Sequence, residues 1–263
     1  SYFVGFLMDG ILLLEKQKET NHYQIQSLPI NSGVFCLKKD RFQDVVWIGT
    51  DGQGVYLYSN PLYSIKSMVL SNYTEKIERP VRAIYLDDER TFWVGTKGNG
   101  ILKIYDYEFD KNISDCRAEV LTTSNSALSS NAVYCFAKSH RNLLWIGDEE
   151  GLTYYSYREK RIKSIPIRIG NEDFKYIHDI YETADSELWL VSVGMGVVKA
   201  RIAGTPDNPV IVDAQRYIIN DGELGSNYFF TIYAENEANL LFGNKGYGAV
   251  SYTHLRAHET AAN

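Results

Sequence analysis

Short runs in which apolar and polar residues alternate, each broken by glycine or a polar turn, recur along the whole chain, and helical periodicity is absent. Stretches such as Val55-Tyr56-Leu57-Tyr58 and Ile101-Leu102-Lys103-Ile104-Tyr105 predict strands with a buried face. One phrase repeats: Val46-Trp47-Ile48-Gly49-Thr50, Phe92-Trp93-Val94-Gly95-Thr96, Leu144-Trp145-Ile146-Gly147-Asp148 and Leu188-Trp189-Leu190-Val191-Ser192. Weaker copies stand at either end, Phe3-Val4-Gly5 and Leu241-Phe242-Gly243. The anchors Phe3, Trp47, Trp93, Trp145, Trp189 and Leu241 are spaced 44, 46, 52, 44 and 52 residues apart, and all 4 tryptophans occupy this position. A repeat of this period makes the repeated unit, rather than any single residue, the first thing to interpret.

Each unit carries further common features. Glycine pairs follow the anchor by five to seven residues (Gly52 and Gly54, Gly98 and Gly100, Gly194 and Gly196, Gly246 and Gly248), reduced to Gly151 and Gly10 in two copies. Strand, glycine turn and strand predict a hairpin whose glycines supply positive φ. Another strand precedes each anchor: Val34–Lys38, Val81–Leu86, Ala132–Ala137, Ile177–Glu182 and Tyr228–Ala234. A fourth, less regular segment follows, as at Ile162–Ile167 or Val210–Val212. Four short antiparallel strands per unit describe a blade, so the expected fold class is all-β, a β-propeller of four-stranded blades over residues 1–252. Trp47, Gly49, Trp93, Gly95, Trp145, Gly147, Trp189 and Gly243 are its structural anchors, with the tryptophans packed between blades.

Composition narrows the partners. Among 263 residues the formal net charge is −6, without the basic stripe that nucleic acid would need. No run approaches the roughly 18 apolar residues of a membrane span. The 20 Tyr and 20 Gly are accounted for by the repeated hairpin. Cys36 and Cys135 fall at matching places in two strands and read as small buried side chains. The chain begins at Ser1, the first unit lacks its leading strand and the last stops after its third. These features predict an incomplete ring, a piece of a longer protein that associates through open strand edges. In the tail, residues 253–263, His254 and His258 are four apart beside Glu259, but no third ligand is near. The tail drops the repeat pattern and resembles translated sequencing-adapter sequence, so neither a metal nor a cofactor is expected.

No Trp-Asp closure, kelch glycine pair or sialidase box recurs. Instead Ser129-Ser130-Asn131-Ala132-Val133, Leu144-Trp145-Ile146-Gly147, Gly151-Leu152 and Tyr154-Tyr155 resemble the two-component regulator propeller repeat, as does Asn220–Asn227. The resemblance implies a periplasmic, carbohydrate-sensing region of a hybrid two-component regulator of Bacteroidetes type. It further implies an oligosaccharide ligand, and remaining blades and a histidine kinase elsewhere in a parent chain that forms a homodimer. The region itself is then no enzyme. A propeller glycan lyase or hydrolase, and an interaction scaffold without small ligand, are the alternatives.

No nucleophile elbow, phosphate loop or His-Glu-x-x-His motif is present. The acidic pairs Asp87-Asp88 and Glu149-Glu150 fall in turns and are expected to be solvated, and His178 in a strand is expected to pack between blades. Binding residues concentrate on loops over a rigid scaffold, and the loops entering each first strand share a face with the glycine hairpins. On that face the candidate ligand-binding residues are Asp51, Arg79, Lys97, Asn131, Tyr176, Asn227, Tyr228 and Lys245. Their amide, cationic and phenol groups suit sugar hydroxyls, carboxylates and ring faces.

Overall fold

The computed structural model describes residues 2–8, 10–17, 22–42, 45–59, 64–68, 77–107, 116–218, 225–237, 239–246 and 248–251. The tail with His254 and His258, and Asn220–Leu224 of the resembling stretch, lie outside the described residues. The chain divides into two compact units, Ser1–Leu121 and Thr122–Asn263.

The first unit holds three antiparallel sheets in meander order. They are β1 (Tyr2–Gly5), β2 (Ile11–Lys16) and β3 (Tyr23–Leu28); β4 (Val34–Lys39), β5 (Val45–Thr50), β6 (Val55–Ser59) and β7 (Ser64–Met68); and β8 (Val81–Leu86), β9 (Phe92–Thr96), β10 (Ile101–Ile104) and β11 (Ala118–Leu121). The second unit continues with β12 (Val133–Lys138), β13 (Leu143–Asp148), β14 (Leu152–Ser156) and β15 (Arg161–Ser164), then a small hairpin of β16 (Arg168–Ile169) and β17 (Glu172–Asp173). A further four-stranded sheet comprises β18 (Ile177–Glu182), β19 (Glu187–Ser192), β20 (Gly196–Thr205) and β21 (Asn208–Tyr217), and a three-stranded one β22 (Phe229–Asn236), β23 (Asn239–Asn244) and β24 (Gly248–Ser251). Apart from the β16–β17 hairpin, these sheets are β-propeller blades, and the anchors fall where the repeat puts them, on the strand before each glycine hairpin. Gly10, Gly52, Gly54, Gly98, Gly100, Gly151, Gly194, Gly196, Gly246 and Gly248 all take positive φ.

The cores lie between sheets. In the first unit one cluster joins Trp47 and Leu57 to Val81, Phe92 and Leu102 of the following blade. In the second, Trp145 and Leu152 pack with Phe174, Ile177 and Leu188, and Trp189 with Phe229 and Phe242. All four tryptophans are at most 1% exposed, whereas Leu241 at the same repeat position is 39% exposed and its neighbours Leu240 and Phe242 are buried. A buried indole N–H needs an acceptor. Asp40 accepts that of Trp47 at 2.9 Å, Asp87 that of Trp93 at 2.8 Å, and Glu182 of the following blade that of Trp145 at 2.7 Å. Asp87 is therefore not the solvated turn residue its sequence context suggests: it is 1% exposed and also takes the Thr91 amide at 2.7 Å.

The motif glycine is explained by its cross-strand partner. Gly49 pairs with Cys36 and Gly147 with Cys135. A β-carbon on Gly49 would come within 2.4 Å of the Cys36 sulfur, and one on Gly147 within 2.5 Å of the Cys135 sulfur and 2.7 Å of the Ile177 carbonyl oxygen. Packed this way, the thiols lose solvent: burial pushes Cys36 up to about 12 and Cys135 well above its ordinary value. The exception, Val191, pairs with Asp179, whose carboxylate instead reaches the next blade and accepts Thr231 Oγ1 at 3.1 Å and the Ile232 amide at 2.7 Å.

Candidate ligand-binding loops

In five blades the residue that follows the second strand is tied to the loop entering the first strand. Asp51 N–H donates to Gly33 O (2.8 Å), Lys97 to Pro80 (2.9 Å), Glu149 to Ala132 (3.0 Å), Val193 to Tyr176 (3.3 Å) and Lys245 to Tyr228 (2.9 Å). The two loop families thus lie side by side in these five blades, as their spacing in the sequence implies.

In the first unit, Asp51, Arg79 and Lys97 are exposed. The Asp51 carbonyl accepts Ser32 Oγ at 2.9 Å. The Asn99 side-chain oxygen accepts the amides of Glu78 and Arg79, at 3.3 and 3.0 Å, so the loop carrying Arg79 is held by the glycine hairpin that follows Lys97. Arg79 and Lys97 thereby share one blade, and Asp51 stands on the blade before it.

In the second unit the loops form a continuous strip. Glu149 N–H reaches Ala132, Tyr176 N–H reaches Glu149 O (3.0 Å), Val193 reaches Tyr176, and Gly194 and Gly196 both donate to Asn227 O (3.0 Å each). Val193 also forms a bridge with Tyr228, which Lys245 then joins. The strip brings together Asn131, Tyr176, Asn227, Tyr228 and Lys245. Their side chains differ in availability. The Asn131 oxygen is taken by the Thr123 amide at 2.9 Å, closing its own loop. Tyr176 and Tyr228 are 42% and 49% exposed, and the Lys245 ammonium sits 6.0 Å from the Tyr228 ring centroid.

Tyr176 carries backbone strain, with φ at +56°. For a bulky L-residue this conformation costs about 1–2 kcal/mol and persists only where neighbours enforce it. Here its N–H bonds Glu149, its carbonyl accepts Val193, and the same carbonyl lies 2.9 Å from His178 Nδ1. Glu150, expected as a solvated turn residue, is ion-paired with Lys175, which the repeat pattern does not single out; the pair flanks Tyr176 and raises the Lys175 pKa through that contact.

Asp148, beneath the strip, has a carboxyl pushed up to about 6 by desolvation, partly offset by Ser129 Oγ and the amides of Glu150, Gly151 and Ser130. Ser129 donates at 2.6 Å to one oxygen, and the amides of Glu150 and Gly151 at 2.9 and 3.0 Å to the other. Both oxygens are engaged and the residue is fully buried, so this carboxyl orders the loop rather than meeting a substrate. Elsewhere in the unit, Glu187, Lys199, Arg201, Asp213 and Gln215 line a shallow polar cleft that contains none of the candidate residues. Among the described residues, no three His, Cys, Asp or Glu side chains are placed to share a metal ion.

No family model matches the chain. It is 31% identical over 140 residues to translation initiation factor 6 of Saccharolobus solfataricus, covering 48% of this chain and 57% of that protein, so it spans little more than half of that relative. Among solved structures, its fold is similar to PorZ, a surface component of the type-IX secretion system of Porphyromonas gingivalis. The TM-score is 0.66 at 14% identity, over 95% of this chain and 36% of that one. It is also similar to the extracellular domain of the hybrid two-component system BT4673 of B. thetaiotaomicron (TM-score 0.56, 15% identity, 95% of this chain and 46% of that one). The β-propeller domain of Myceliophteria thermophila Cps50 (Swd1) is similar at TM-score 0.54 and 12% identity, over 94% and 84% of the two chains. These likenesses establish propeller architecture.

Proposed function

We propose that the chain is an extracytoplasmic, ligand-sensing run of propeller blades, non-enzymatic in itself, that belongs to a hybrid two-component regulator. The observation that carries this reading is the strip over Asn131, Tyr176, Asn227, Tyr228 and Lys245. It combines two exposed tyrosines, a lysine and a strained backbone on a scaffold tied together by main-chain hydrogen bonds. Exposed phenol rings beside a cation suit a carbohydrate fragment, which offers apolar ring faces and hydroxyls together. The propeller likeness to the extracellular domain of BT4673 supports an extracytoplasmic setting. Ligand bound to loops shared by two blades would bias their packing, and hence the state of a histidine kinase downstream, as a coupling free energy between two sites.

The test is calorimetric titration of the chain with neutral and uronate-containing oligosaccharides, alongside Tyr228→Ala and Lys245→Ala. Saturable binding, weakened about tenfold or more by either substitution with the melting temperature unchanged, is the expected result. Binding indifferent to both substitutions contradicts the strip as the site, and turnover of the oligosaccharide contradicts the non-enzymatic reading.

A further inference from the structure

A second repeated feature lies one step inward of the loops. In five blades the first strand carries a β-bulge at the same place, where the register to the second strand skips Phe35, Arg82, Tyr134, His178 and Phe230 in turn. Bulges release a residue from the pleat and re-aim its side chain, and they cluster beside functional sites. Every one of these positions holds a flat group, an aromatic ring, imidazole or guanidinium, and none an aliphatic side chain. Within each unit the first strands of successive blades lie against one another, and the bulge residues meet there. The Arg82 guanidinium lies 3.8 Å above the Phe35 ring in the first unit. In the second, Tyr134 and His178 are stacked with centroids 4.3 Å apart and planes 20° apart, and Phe230 meets His178 edge-on at 5.6 Å and 90°. Unlike the anchor tryptophans, these rings are not buried: Tyr134 and His178 are half-buried and Phe230 is 38% exposed.

The ladder of the second unit is joined to the loop strip. His178 Nδ1 lies 2.9 Å from the carbonyl of the strained Tyr176. A carbonyl only accepts, so Nδ1 carries the hydrogen of this contact, which fixes the plane of the ring. The carboxylate of Asp179, the next residue along, is turned to Thr231 and Ile232 of the neighbouring blade. The three stacked residues carry ring faces, a phenol and an imidazole nitrogen, and no cationic side chain of the kind that an anionic ligand would select.

We propose that Tyr134, His178 and Phe230 form a stacking platform that takes a neutral sugar ring, continuous with the loop strip through the Tyr176 carbonyl. The proposal rests on the sensing reading above and names the chemistry of its inner subsite. The ring's apolar C–H face packs on the aromatic groups.

The experiment is titration of the chain with a library of neutral tetra- to hexasaccharides, comparing wild type with Phe230→Leu and His178→Asn. Leucine keeps apolar bulk at a partly exposed position, and asparagine keeps a donor toward the Tyr176 carbonyl. Both variants therefore test the rings rather than the folding, with far-UV spectra and melting as the control. Each substitution is expected to lower affinity about fivefold or more for the best-binding member, the scale of one lost aromatic contact. Wild-type binding with both variants within about twofold overturns the platform and leaves the loop strip as the site. Absence of binding by any member to the wild type overturns the platform and the carbohydrate reading together.

Discussion

Gly49 and Gly147 occupy the same repeat position, yet adding a methyl group at each should have different consequences. At Gly49 the new β-carbon meets the Cys36 sulfur at 2.4 Å, and its next contact, Val81 Cγ1, is at 3.2 Å. Carbon contacts become favourable only near 3.5–4.0 Å, so the sulfur carries almost the whole clash. At Gly147 the sulfur of Cys135 lies at 2.5 Å, but Ile177 O at 2.7 Å and Ile177 Cγ2 at 2.8 Å remain when the sulfur is taken away. Overpacking of a tight core costs about 1–3 kcal/mol, and Gly147→Ala belongs at or above the upper end because a main-chain oxygen of the next blade is in the way. In double-mutant cycles by urea unfolding, Gly49→Ala with Cys36→Ala should therefore show a favourable coupling of about 1–2 kcal/mol. Gly147→Ala with Cys135→Ala should show less than about 0.5 kcal/mol. Equal coupling at the two sites would refute the reasoning, because it would mean that the Ile177 backbone moves aside and the glycine does not report how closely one blade packs on the next.

Trp145→Phe keeps most of the buried ring but leaves the Glu182 carboxylate without its indole donor at 2.7 Å; a loss of about 1–3 kcal/mol in unfolding free energy is expected. Asp148 has a folded pKa of about 6 against an ordinary 3.8, so its protonated form is favoured by folding. Its contribution is complete below about pH 4, is lost as the pH rises to about 6 and is flat above that, amounting to as much as about 3 kcal/mol. Asp148→Asn preserves acceptors for the Glu150 and Gly151 amides and a donor toward Ser129. The difference in unfolding free energy between variant and wild type should rise across that window, and a difference that does not change with pH would contradict the burial argument. Tyr176→Gly removes the penalty of a positive φ and should raise stability, by up to about 1 kcal/mol, while weakening ligand binding; a drop in stability would show that the Tyr176 side chain does more for the fold than its exposure implies.

The blades were legible because each is built from local signals that repeat: an apolar strand, a glycine turn and a tryptophan at a fixed offset. Even the departure at Val191 is interpretable, since its cross-strand partner is not a cysteine but Asp179, whose carboxylate turns to the next blade. What the sequence hides depends on side-chain contacts that form only in the folded chain. Nothing in Asp87-Asp88 distinguishes a buried indole acceptor from a solvated turn, because the deciding contact is the fold of Trp93 back over the turn. Glu182 is engaged by a tryptophan from the preceding blade, 37 residues away. Within each unit, spacing alone sets the candidate loops beside the glycine hairpins, but it does not rank their residues. The Asn131 amide oxygen turns out to be committed to Thr123, whereas the strained Tyr176 gives no sequence signal, tyrosine being an unlikely choice for that conformation. The bulge ladder was also missed: a bulge adds one residue to a strand, and periodicity cannot say which residue is the extra one.

The central claim, that ligand is taken on the loop strip and its adjoining aromatic platform, is tested most directly by mapping chemical-shift changes in the labelled protein during titration with the best-binding neutral oligosaccharide. Saturable shifts should concentrate at Tyr176, His178, Tyr228, Phe230 and Lys245. Shifts centred instead on the polar cleft of Lys199, Arg201 and Asp213, with the strip unmoved, would contradict it.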